Sequence, residues 1–496
     1  MTEIRCKCYF RVSFGGGVPP FTVMIDTMDE IDAARSAIEG GANNVNGKVI
    51  VRRAGYNGNW KFHFDPASVF FSTRAGGTIP TKVENNPHSY SGQEIRFGNA
   101  TAIAEIRPGL GKTQAFTARG SQPAPWNVRL VRARQAMTQL RARHGGENFS
   151  WGTVKVGHID TGYVPHAVFG AWTAGTANAA NRKSNSTILW QQGRDFLDGD
   201  DDNPEDTMDY RAMLPPHFPA HGLRTGSVLA GRKLGVAPGL PLVPYRALRT
   251  TVLVWDGAKT RVAQAINAAN TQNCPVINMS LGGLTASRAM GEAVDKAYDK
   301  GIIICAAAGQ ATDQVTYPGR YFRTIGVGGV QPKGMKRPSE GAALSNIELE
   351  MYDEVQLGGT QFIAGDDQYV DIWAPSACID RAVAKENGAL DRISTDGGGD
   401  GTSYGTVHVA AAAAMWLRWH GADLDTAYDN GWKRVEAFRK IVHRIGCRVL
   451  ELPADPSRAP RTLRNPYILD IKAVLDEPLP QIIDDDRKSL ATDQRF

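Results

Sequence analysis

The sequence has few cysteines and no long hydrophobic run, and each absence excludes a class of protein. Six of its 496 residues are cysteines, and none forms a C-x-x-C pair. Such scattered thiols predict a reduced protein without a disulfide framework or a zinc site. No apolar stretch approaches the roughly 18 residues of a membrane-spanning helix, and MTEIRCKCYF lacks the features of a secretory signal. The sequence therefore predicts a cytoplasmic protein that does not enter a membrane.

A strong excess of charge of one sign is also absent. The chain carries 56 Lys and Arg against 51 Asp and Glu, a net charge of +5, which is too small to indicate a nucleic-acid partner. Hydrophobic residues make up 42% of the chain, and 53 residues are glycine. A chain of this length and composition is expected to form two or three globular domains with a large core and many tight turns.

Composition shifts divide the chain into four segments. Residues 1–75 contain strand-like runs such as YFRVSF and KVIVRR around a helical pattern, which predicts a small α+β domain. Residues 76–123 are rich in Gly, Pro, Asn, Ser and Thr and predict a linker or irregular structure. Residues 124–447 alternate apolar runs with helical stretches, which predicts an α/β domain with a mainly parallel sheet and helices on both faces. Residues 448–496 are expected to form a C-terminal extension.

Three short segments of the third region each contain a residue type that acyl transfer requires. They are VKVGHIDTG with Asp160, HGLRTGSVLAG with His221 and GTSYGTVHVAAAAA with Ser403. A serine hydroxyl becomes a nucleophile when an imidazole takes its proton and a carboxylate orients that imidazole. Each residue also has an ordinary structural alternative: a turn aspartate, a core or surface histidine, and a helix N-cap serine. Their occurrence together, in the order Asp, His, Ser, favours the catalytic interpretation.

These motifs, and the runs between them, resemble the subtilisin family of serine peptidases. The resemblance extends from about Ala124 to about Cys447 and includes GVAPGLPLVPYRAL, PVINMSLGG, IIICAAAGQ, TYPGRYFRTIGVGGV and YVDIWAPS. It implies a subtilisin-like fold and a serine endopeptidase that cleaves protein or peptide substrates through an acyl-enzyme intermediate. In that family Asp160 would orient the imidazole, His221 would transfer the proton, and Ser403 would attack the carbonyl.

The resemblance also implies an oxyanion hole and a substrate cleft. Gln310 stands where the family carries an Asn that donates to the oxyanion, so the hole is expected from Gln310 and the backbone N–H of Ser403. Because Gln keeps the donor, Gln310→Asn is expected to retain or raise activity. The implied substrate-binding residues are Ser280, Leu281, Gly282, Ala307, Ala308, Gly309 and Thr316. The first three would pair with an extended peptide, and the other four would form an uncharged specificity pocket.

Three questions stay open at the level of sequence. Residues 1–75 are either a propeptide or an accessory module, and a module of this kind could silence the peptidase until a regulatory partner binds. Gln310, together with Val407 where the family usually has Pro, also fits a weakly active or inactive peptidase-fold scaffold. No cofactor is required by the proposed chemistry. The acidic run Asp195–Asp209 suits calcium, but it lacks the spacing of an EF-hand and fits a solvated loop equally well.

Overall fold

The chain divides into two compact units in its computed structural model. The units are Met1–Ala124 with Ser339–Gly341, and Pro125–Pro338 with Ala342–Phe496. The structure describes residues 8–14, 18, 21–25, 34, 44–51, 61–65, 68–72, 80–85, 87–98, 100–106, 124–164, 166–170, 186–197, 204–206, 220–310, 315–339, 342–352, 370–383, 395–446, 448–449 and 467–482. The helix predicted from MDEIDAARSAIEGG lies almost entirely outside these residues.

The first unit contains two antiparallel sheets that share an aromatic core. Its elements are β1 (Cys8–Phe14), β2 (Phe21–Ile25), β3 (Asn44–Ile50), β4 (His63–Phe64), β5 (Phe70–Ser72), α1 (Pro80–Asn85), α2 (Pro87–Tyr90), β6 (Glu94–Phe97) and β7 (Ala100–Ile106). One sheet has the order β2-β1-β7, and the other has the order β4-β3-β5 with β6 also paired to β3. The ring of Phe21 lies 5.2, 5.1 and 5.0 Å from those of Phe62, Phe64 and Phe97. These aromatic contacts hold both sheets against one core.

The segment from residue 80 to residue 106 is ordered structure and not the predicted linker. Strand β7 pairs with β1, and β6 pairs with β3 and buries Phe97 completely. The prediction is wrong here because Gly, Pro and Asn in the turns dominate the local composition, while α2 and β6 have only four residues each. The N-terminal α+β unit therefore extends past residue 75 and includes β7.

The second unit is built on a sheet of ten strands. The strands of this unit are β8 (Val156–Asp160), β9 (Arg194–Asp195), β10 (Leu242–Arg246), β11 (Val276–Met279), β12 (Ile303–Ala307), β13 (Ile325–Pro332), β14 (Leu349–Met351), β15 (Ile372–Pro375), β16 (Ile379–Ala382), β17 (Thr395–Gly399), β18 (Arg448–Val449) and β19 (Tyr467–Ile468). The helices are α3 (Trp126–Leu130), α4 (Ala133–Arg143), α5 (His221–Ala230), α6 (Asp256–Thr271), α7 (Arg288–Asp299), α8 (Thr402–His420), α9 (Asp423–Ala427), α10 (Gly431–Val442) and α11 (Ile471–Asp476). Strands β16 and β17 form a separate hairpin.

The large sheet is mainly parallel, with the order β18-β19-β15-β13-β12-β11-β8-β10-β9 and β14 paired to β13. Among its pairings only β13–β14 and β18–β19 are antiparallel. Side chains such as Ile277 and Ile304 pack into one core with helices α6 and α7, while α8 packs on β11, β12, β13 and β15 from the other face. The predicted α/β architecture, a mainly parallel sheet with helices on both faces, is confirmed.

The parallel strands give the sheet two chemically different edges. The strands end together at what we call the carboxyl edge, where Asp160 is the last residue of β8 and Ser280 follows β11. At the opposite, amino edge Gly326 lies at the start of β13, and Asp371 immediately precedes β15. Reactive side chains in such sheets gather at the carboxyl edge.

Residues after the predicted boundary at Cys447 complete the large sheet. Strand β19 pairs in parallel with β15 through Ile468 and Trp373, and Asp470 forms a salt bridge with Arg132 of the linker between α3 and α4. This part of the C-terminal extension therefore belongs to the second unit. Among the helices that the structure describes, none combines the length and apolar character that crossing a bilayer requires.

Candidate active site

Asp160 and His221 form a buried, hydrogen-bonded pair at the carboxyl edge. His221 begins α5, and its Nδ1 lies 2.8 Å from Oδ1 and 2.9 Å from Oδ2 of Asp160. A carboxylate only accepts hydrogen bonds, so the proton of the imidazole is on Nδ1 and the lone pair is on Nε2. The backbone N–H of Thr161 donates a further bond to Asp160 at 2.7 Å.

The surroundings of Asp160 keep its carboxylate ionised. Burial alone would raise the pKa of this carboxyl group, but the charge and hydrogen bond of His221, with smaller contributions from His158 and the Thr161 N–H, hold the pKa below its ordinary value. An ionised, oriented carboxylate stabilises a protonated imidazole beside it. The pair can therefore accept and return a proton.

Glycines in HGLRTGSV allow α5 to approach the turn that follows Asp160. A Cβ atom on Gly222 would lie 2.1 Å from the carbonyl oxygen of Gly162, and one on Gly226 would lie 2.2 Å from the hydroxyl of Tyr163. Any larger residue would push His221 away from Asp160. The close helix packing inferred from the small residues of this motif is thus directed at one turn.

Ser403 is the one accessible residue in the first turns of α8. From residue 402 to residue 417 every other side chain is buried. The Ser403 hydroxyl donates to the carbonyl oxygen of Ser280 at 3.2 Å, and the Ser280 hydroxyl donates to the carbonyl oxygen of Ser403 at 2.9 Å. Ser280 follows β11, which is the neighbour of β8, so these bonds hold Ser403 at the carboxyl edge. The helix N-terminus adds a positive dipole end there.

Gln310 contacts the residue immediately before Ser403. Its Oε1 accepts from the backbone N–H of Thr402 at 3.0 Å and from the Thr402 hydroxyl at 2.9 Å. A backbone N–H can only donate, so the amide oxygen faces Thr402 and Nε2 is left as the donor. A Cβ atom on Gly401, which has φ 136°, would lie 3.2 Å from Nε2. Gln310 thus caps α8, which the sequence analysis did not predict.

The predicted peptide-binding segment already pairs with another part of the chain. The backbone N–H of Gly282 donates to Thr251 at 2.9 Å, and its carbonyl oxygen accepts from Leu253 at 2.8 Å. Leu281 is buried, and the hydroxyl of Ser280 is used on Ser403. An extended peptide can pair with Gly282 only after the segment 251–253 moves away.

The predicted specificity pocket converges on Thr316. The Thr316 backbone N–H donates to Ala308 at 2.8 Å, and its hydroxyl donates to the carbonyl oxygen of Ala307 at 3.2 Å. A Cβ atom on Gly309 would lie 2.5 Å from Thr316 Cγ2, and one on Gly282 would lie 2.3 Å from Thr316 Oγ1. The structure therefore brings these predicted residues together, and all of them are uncharged.

Two polar residues beside Asp160 were missed by the sequence analysis. His158 is fully buried in β8, with Nδ1 2.6 Å from the Tyr163 hydroxyl and Nε2 3.3 Å from Thr225 Oγ1 and 3.7 Å from Asp160 Oδ2. Thr225 Oγ1 lies 3.3 Å from Asp160 Oδ2 and 2.9 Å from the carbonyl oxygen of His221. Two signals pointed to them: a histidine inside a buried strand, and a threonine four residues after His221, on the same helix face.

Two acidic residues of the run Asp195–Asp209 are bonded to protein groups. Arg246 Nη1 lies 2.5 Å from Asp195 Oδ2, with both side chains buried, and Asp206 accepts from the Thr161 hydroxyl at 3.1 Å. Within the part of the chain that the structure describes, no three His, Cys, Asp or Glu residues could jointly hold a metal ion. Several acidic residues of the run lie outside the described residues, and calcium binding there stays a prediction.

Comparison with known proteins gives matches in both units. The profile of the Subtilase family matches residues 152–424, and the profile of a second family, described as an N-terminal domain, matches residues 7–95. Subtilisin NAT of Bacillus subtilis subsp. natto is 32% identical over 211 residues, covering 40% of this chain and 46% of that protein. Subtilisin DY of Bacillus licheniformis is 25% identical over 309 residues, covering 60% and 85%. A crystal structure of a cold adapted subtilisin-like serine proteinase matches with TM-score 0.40 and 22% identity, over 65% of this chain and 90% of that one. The chain spans about half the length of the first of these relatives.

Proposed function

The chain belongs to the subtilase family, and on that basis we propose that it is a serine endopeptidase with Asp160, His221 and Ser403 as its triad. The observation that carries the proposal is the coincidence of two features at one sheet edge. The bonded Asp160–His221 pair ends β8, and the accessible Ser403 is tied to Ser280 at the end of the neighbouring β11. A base with an oriented imidazole beside a serine at a helix N-terminus suits attack on a peptide carbonyl.

A fluorophosphonate probe, which reacts with activated serines, tests this proposal. We expect it to label the wild-type chain at Ser403, and labelling should be lost in Ser403→Ala and in His221→Ala. Ser345→Ala is the matched control, since Ser345 is exposed and lies outside the site. A folded wild-type chain that is not labelled would favour the inactive scaffold over the peptidase.

The oxyanion hole in this proposal consists of Gln310 Nε2 and the backbone N–H of Ser403. Its support is the bond from Thr402 to Gln310 Oε1, because this bond fixes the orientation of the amide and leaves Nε2 as a donor beside Ser403. Donors held in place before reaction stabilise developing charge without reorganisation. The expectation that Gln310→Asn leaves or raises activity is therefore revised: the shorter Asn cannot both cap Thr402 and reach the oxyanion.

Substrates in this proposal are proteins or peptides in extended conformation. A peptide would lie along Ser280–Gly282 with its side chain at the scissile bond in the pocket of Ala307, Ala308, Gly309 and Thr316. Because Gly282 pairs with Thr251 and Leu253 in the free protein, binding begins by parting those segments. Amide hydrogen exchange at Gly282 and Leu253 should change when a peptide aldehyde binds, and unchanged exchange would contradict this binding mode.

The N-terminal unit has a regulatory role in this proposal. It has its own aromatic core, and a family of N-terminal domains matches most of it, over residues 7–95. Intact mass of the wild-type chain and Ser403→Ala over time distinguishes the alternatives. Self-cleavage that releases the folded unit must fall after Ile106, where β7 ends, and would make the unit a propeptide. Labelling without cleavage would make it an accessory module, and labelling only after a partner is added would make it a gate.

The cytoplasm remains the proposed compartment. Cys274, Cys305 and Cys378 are buried free thiols, and burial raises the pKa of each of them, which suppresses the reactive thiolate. Recovery of the protein from the culture medium of the organism that produces it would contradict this compartment.

A further inference from the structure

We propose that His158 is a positioning residue for the Asp160–His221 pair, acting through an N–H that it directs at Asp160 and Thr225. The inference rests on the proposed function, since it assigns a role in the same reaction. His158 touches neither the expected substrate position nor Ser403. Its effect on the reaction would pass through Asp160.

The contacts of His158 select one of its two tautomers. Its Nδ1 lies 2.6 Å from the Tyr163 hydroxyl, and its Nε2 faces Asp160 Oδ2 at 3.7 Å and Thr225 Oγ1 at 3.3 Å. A lone pair on Nε2 would face the carboxylate charge, which is unfavourable in a buried site. The proton is therefore on Nε2, and Tyr163 donates to Nδ1.

Thr225 links this N–H to both members of the pair. Its oxygen accepts from His158 Nε2–H, while its own proton is within reach of Asp160 Oδ2 at 3.3 Å and of the carbonyl oxygen of His221 at 2.9 Å. His158 and Thr225 therefore approach Asp160 from the strand and from the helix that carries His221. Rotation of the carboxylate away from Nδ1 of His221 would break these contacts.

The histidine stays neutral in this position. Burial lowers the pKa of His158 to about 4, the charge of Asp160 opposes this, and the charge of His221 adds to it. Its contribution at neutral pH is therefore a dipole, whose positive end stabilises the ionised Asp160. The same positive end disfavours protonation of the nearby His221 imidazole, and its removal should favour protonation.

Other charged groups around Asp160 are paired and are not altered by changes at His158. Arg246 of β10 is in register with Asp160 but forms its salt bridge with Asp195. Asp206 accepts from Thr161. From α5 the facing titratable group is His221, and from the turn after β8 it is Tyr163.

The test compares His158→Leu, which fills the space without an N–H, with His158→Gln, which keeps a donor at the ε position. The rate of fluorophosphonate labelling is measured as a function of pH. We expect His158→Leu to slow labelling about 10-fold, the range for a bond to a charged group. The acid limb of its profile should move up by about half a pH unit, and His158→Gln should restore most of the rate.

His408→Leu is the matched control. His408 is equally buried, and burial lowers its pKa to about 4, but it contacts Asn127 and Tyr404 and not Asp160. Its loss should lower the thermal midpoint without moving the acid limb. If His158→Leu behaves like His408→Leu, or if His158→Gln restores nothing, His158 has only a structural role and the proposal is wrong.

A second measurement does not depend on enzymatic activity. Nitrogen NMR of the labelled wild-type chain should find His158 neutral, with the proton on Nε2, at about pH 5 to 8. A proton on Nδ1, or protonation of both nitrogens in that range, would overturn the proposal. Absence of fluorophosphonate labelling in the wild type, with the expected His158 tautomer present, would instead contradict the proposed function and leave the hydrogen-bond network intact.

Discussion

The large sheet contains a buried Asp–His pair at each edge, and the two pairs differ in what surrounds them. At the carboxyl edge, Asp160 binds Nδ1 of His221 and otherwise receives bonds from neutral groups. At the amino edge, Asp371 lies 2.7 Å from Nε2 of His443 and 2.8 Å from Nη1 of Arg439. An Asp–His contact therefore does not by itself identify a reactive site.

The guanidinium group makes the difference between the pairs. Burial alone would raise the pKa of Asp371, but Arg439 first, then His443 and the Gly326 N–H, hold it below its ordinary value. Arg439 stays charged at any working pH, so Asp371 is compensated permanently and the cluster suits stability. Within the described part of the chain no guanidinium group bonds to Asp160, which depends on His221, whose protonation can change during a reaction.

The same substitution at the two edges should give the largest contrast. Asp160→Asn should lower kcat about 10⁴-fold, because an amide can stabilise the wrong imidazole tautomer, with little change in thermal midpoint. Asp371→Asn should leave kcat unchanged but destabilise the fold by about 3 kcal/mol, since it leaves the buried Arg439 charge incompletely compensated. Peptide hydrolysis and urea denaturation of both variants check this.

Both aspartates serve the same purpose if the two variants lose activity and stability alike. That outcome would remove the distinction between the edges. A loss of activity in Asp371→Asn alone would instead indicate that the reactive pair lies at the amino edge.

Gln310 offers the next largest effect at the carboxyl edge. Gln310→Ala should lower kcat about 10²- to 10³-fold by removing an oxyanion donor. It should also destabilise α8 by about 1 kcal/mol, because the backbone N–H of Thr402 loses its acceptor. Gln310→Asn should retain one of these functions and show an intermediate kcat. An Asn variant as active as the wild type would mean that the cap on Thr402 is dispensable.

The sequence motifs predicted the sheet, the triad candidates and the pocket residues because each depends on local patterns or on a family resemblance. His158 was missed because its importance lies in contacts with Thr225 and Tyr163, which only the folded chain brings together. The amino-edge cluster joins Asp371 to Arg439 across 68 positions without any periodicity. The orientation of the Gln310 amide could not be predicted either, since it depends on where α8 begins. Short strands such as β6 could not be distinguished from the turn residues around them.

Two threonines of one segment extend the comparison to substrate preference. Thr316 contacts Gly282 and Gly309 at the carboxyl edge, whereas Thr324 donates to Pro318 and Tyr321, and its carbonyl oxygen accepts from Arg439 at the amino edge. Thr316→Ala should deepen the pocket and favour a larger apolar side chain about 10-fold in kcat/KM.

Thr324→Ala is the control for this change. It removes a buried hydroxyl of the same kind but faces away from the pocket, so it should lower stability and leave the preference unchanged. A peptide library that differs only at the residue before the scissile bond measures both variants. A strict preference for Lys or Arg in the wild type would contradict the uncharged pocket.

The dependence of stability on pH should also separate the edges, with the smallest effect. His158 has a folded pKa of about 4, below the unfolded value of about 6.5. The unfolded chain therefore binds a proton first, and stability falls between these values by up to about 1.4 kcal/mol per pH unit. Burial lowers the pKa of His408 and His420 to about 4 as well, and they add to the same slope. The lowered pKa of Asp371 acts elsewhere: its contribution is present above the unfolded pKa of about 4 and is lost only at lower pH.

Urea midpoints measured from neutral pH down to about pH 4.5 distinguish these contributions. His158→Gln should flatten the slope in this window, because the residue that must stay neutral is gone. Asp371→Asn should lower stability by the same amount throughout the window and keep the slope. If instead Asp371→Asn flattens the slope, the amino-edge pair titrates near neutral pH, and the permanent compensation of Asp371 by Arg439 is wrong.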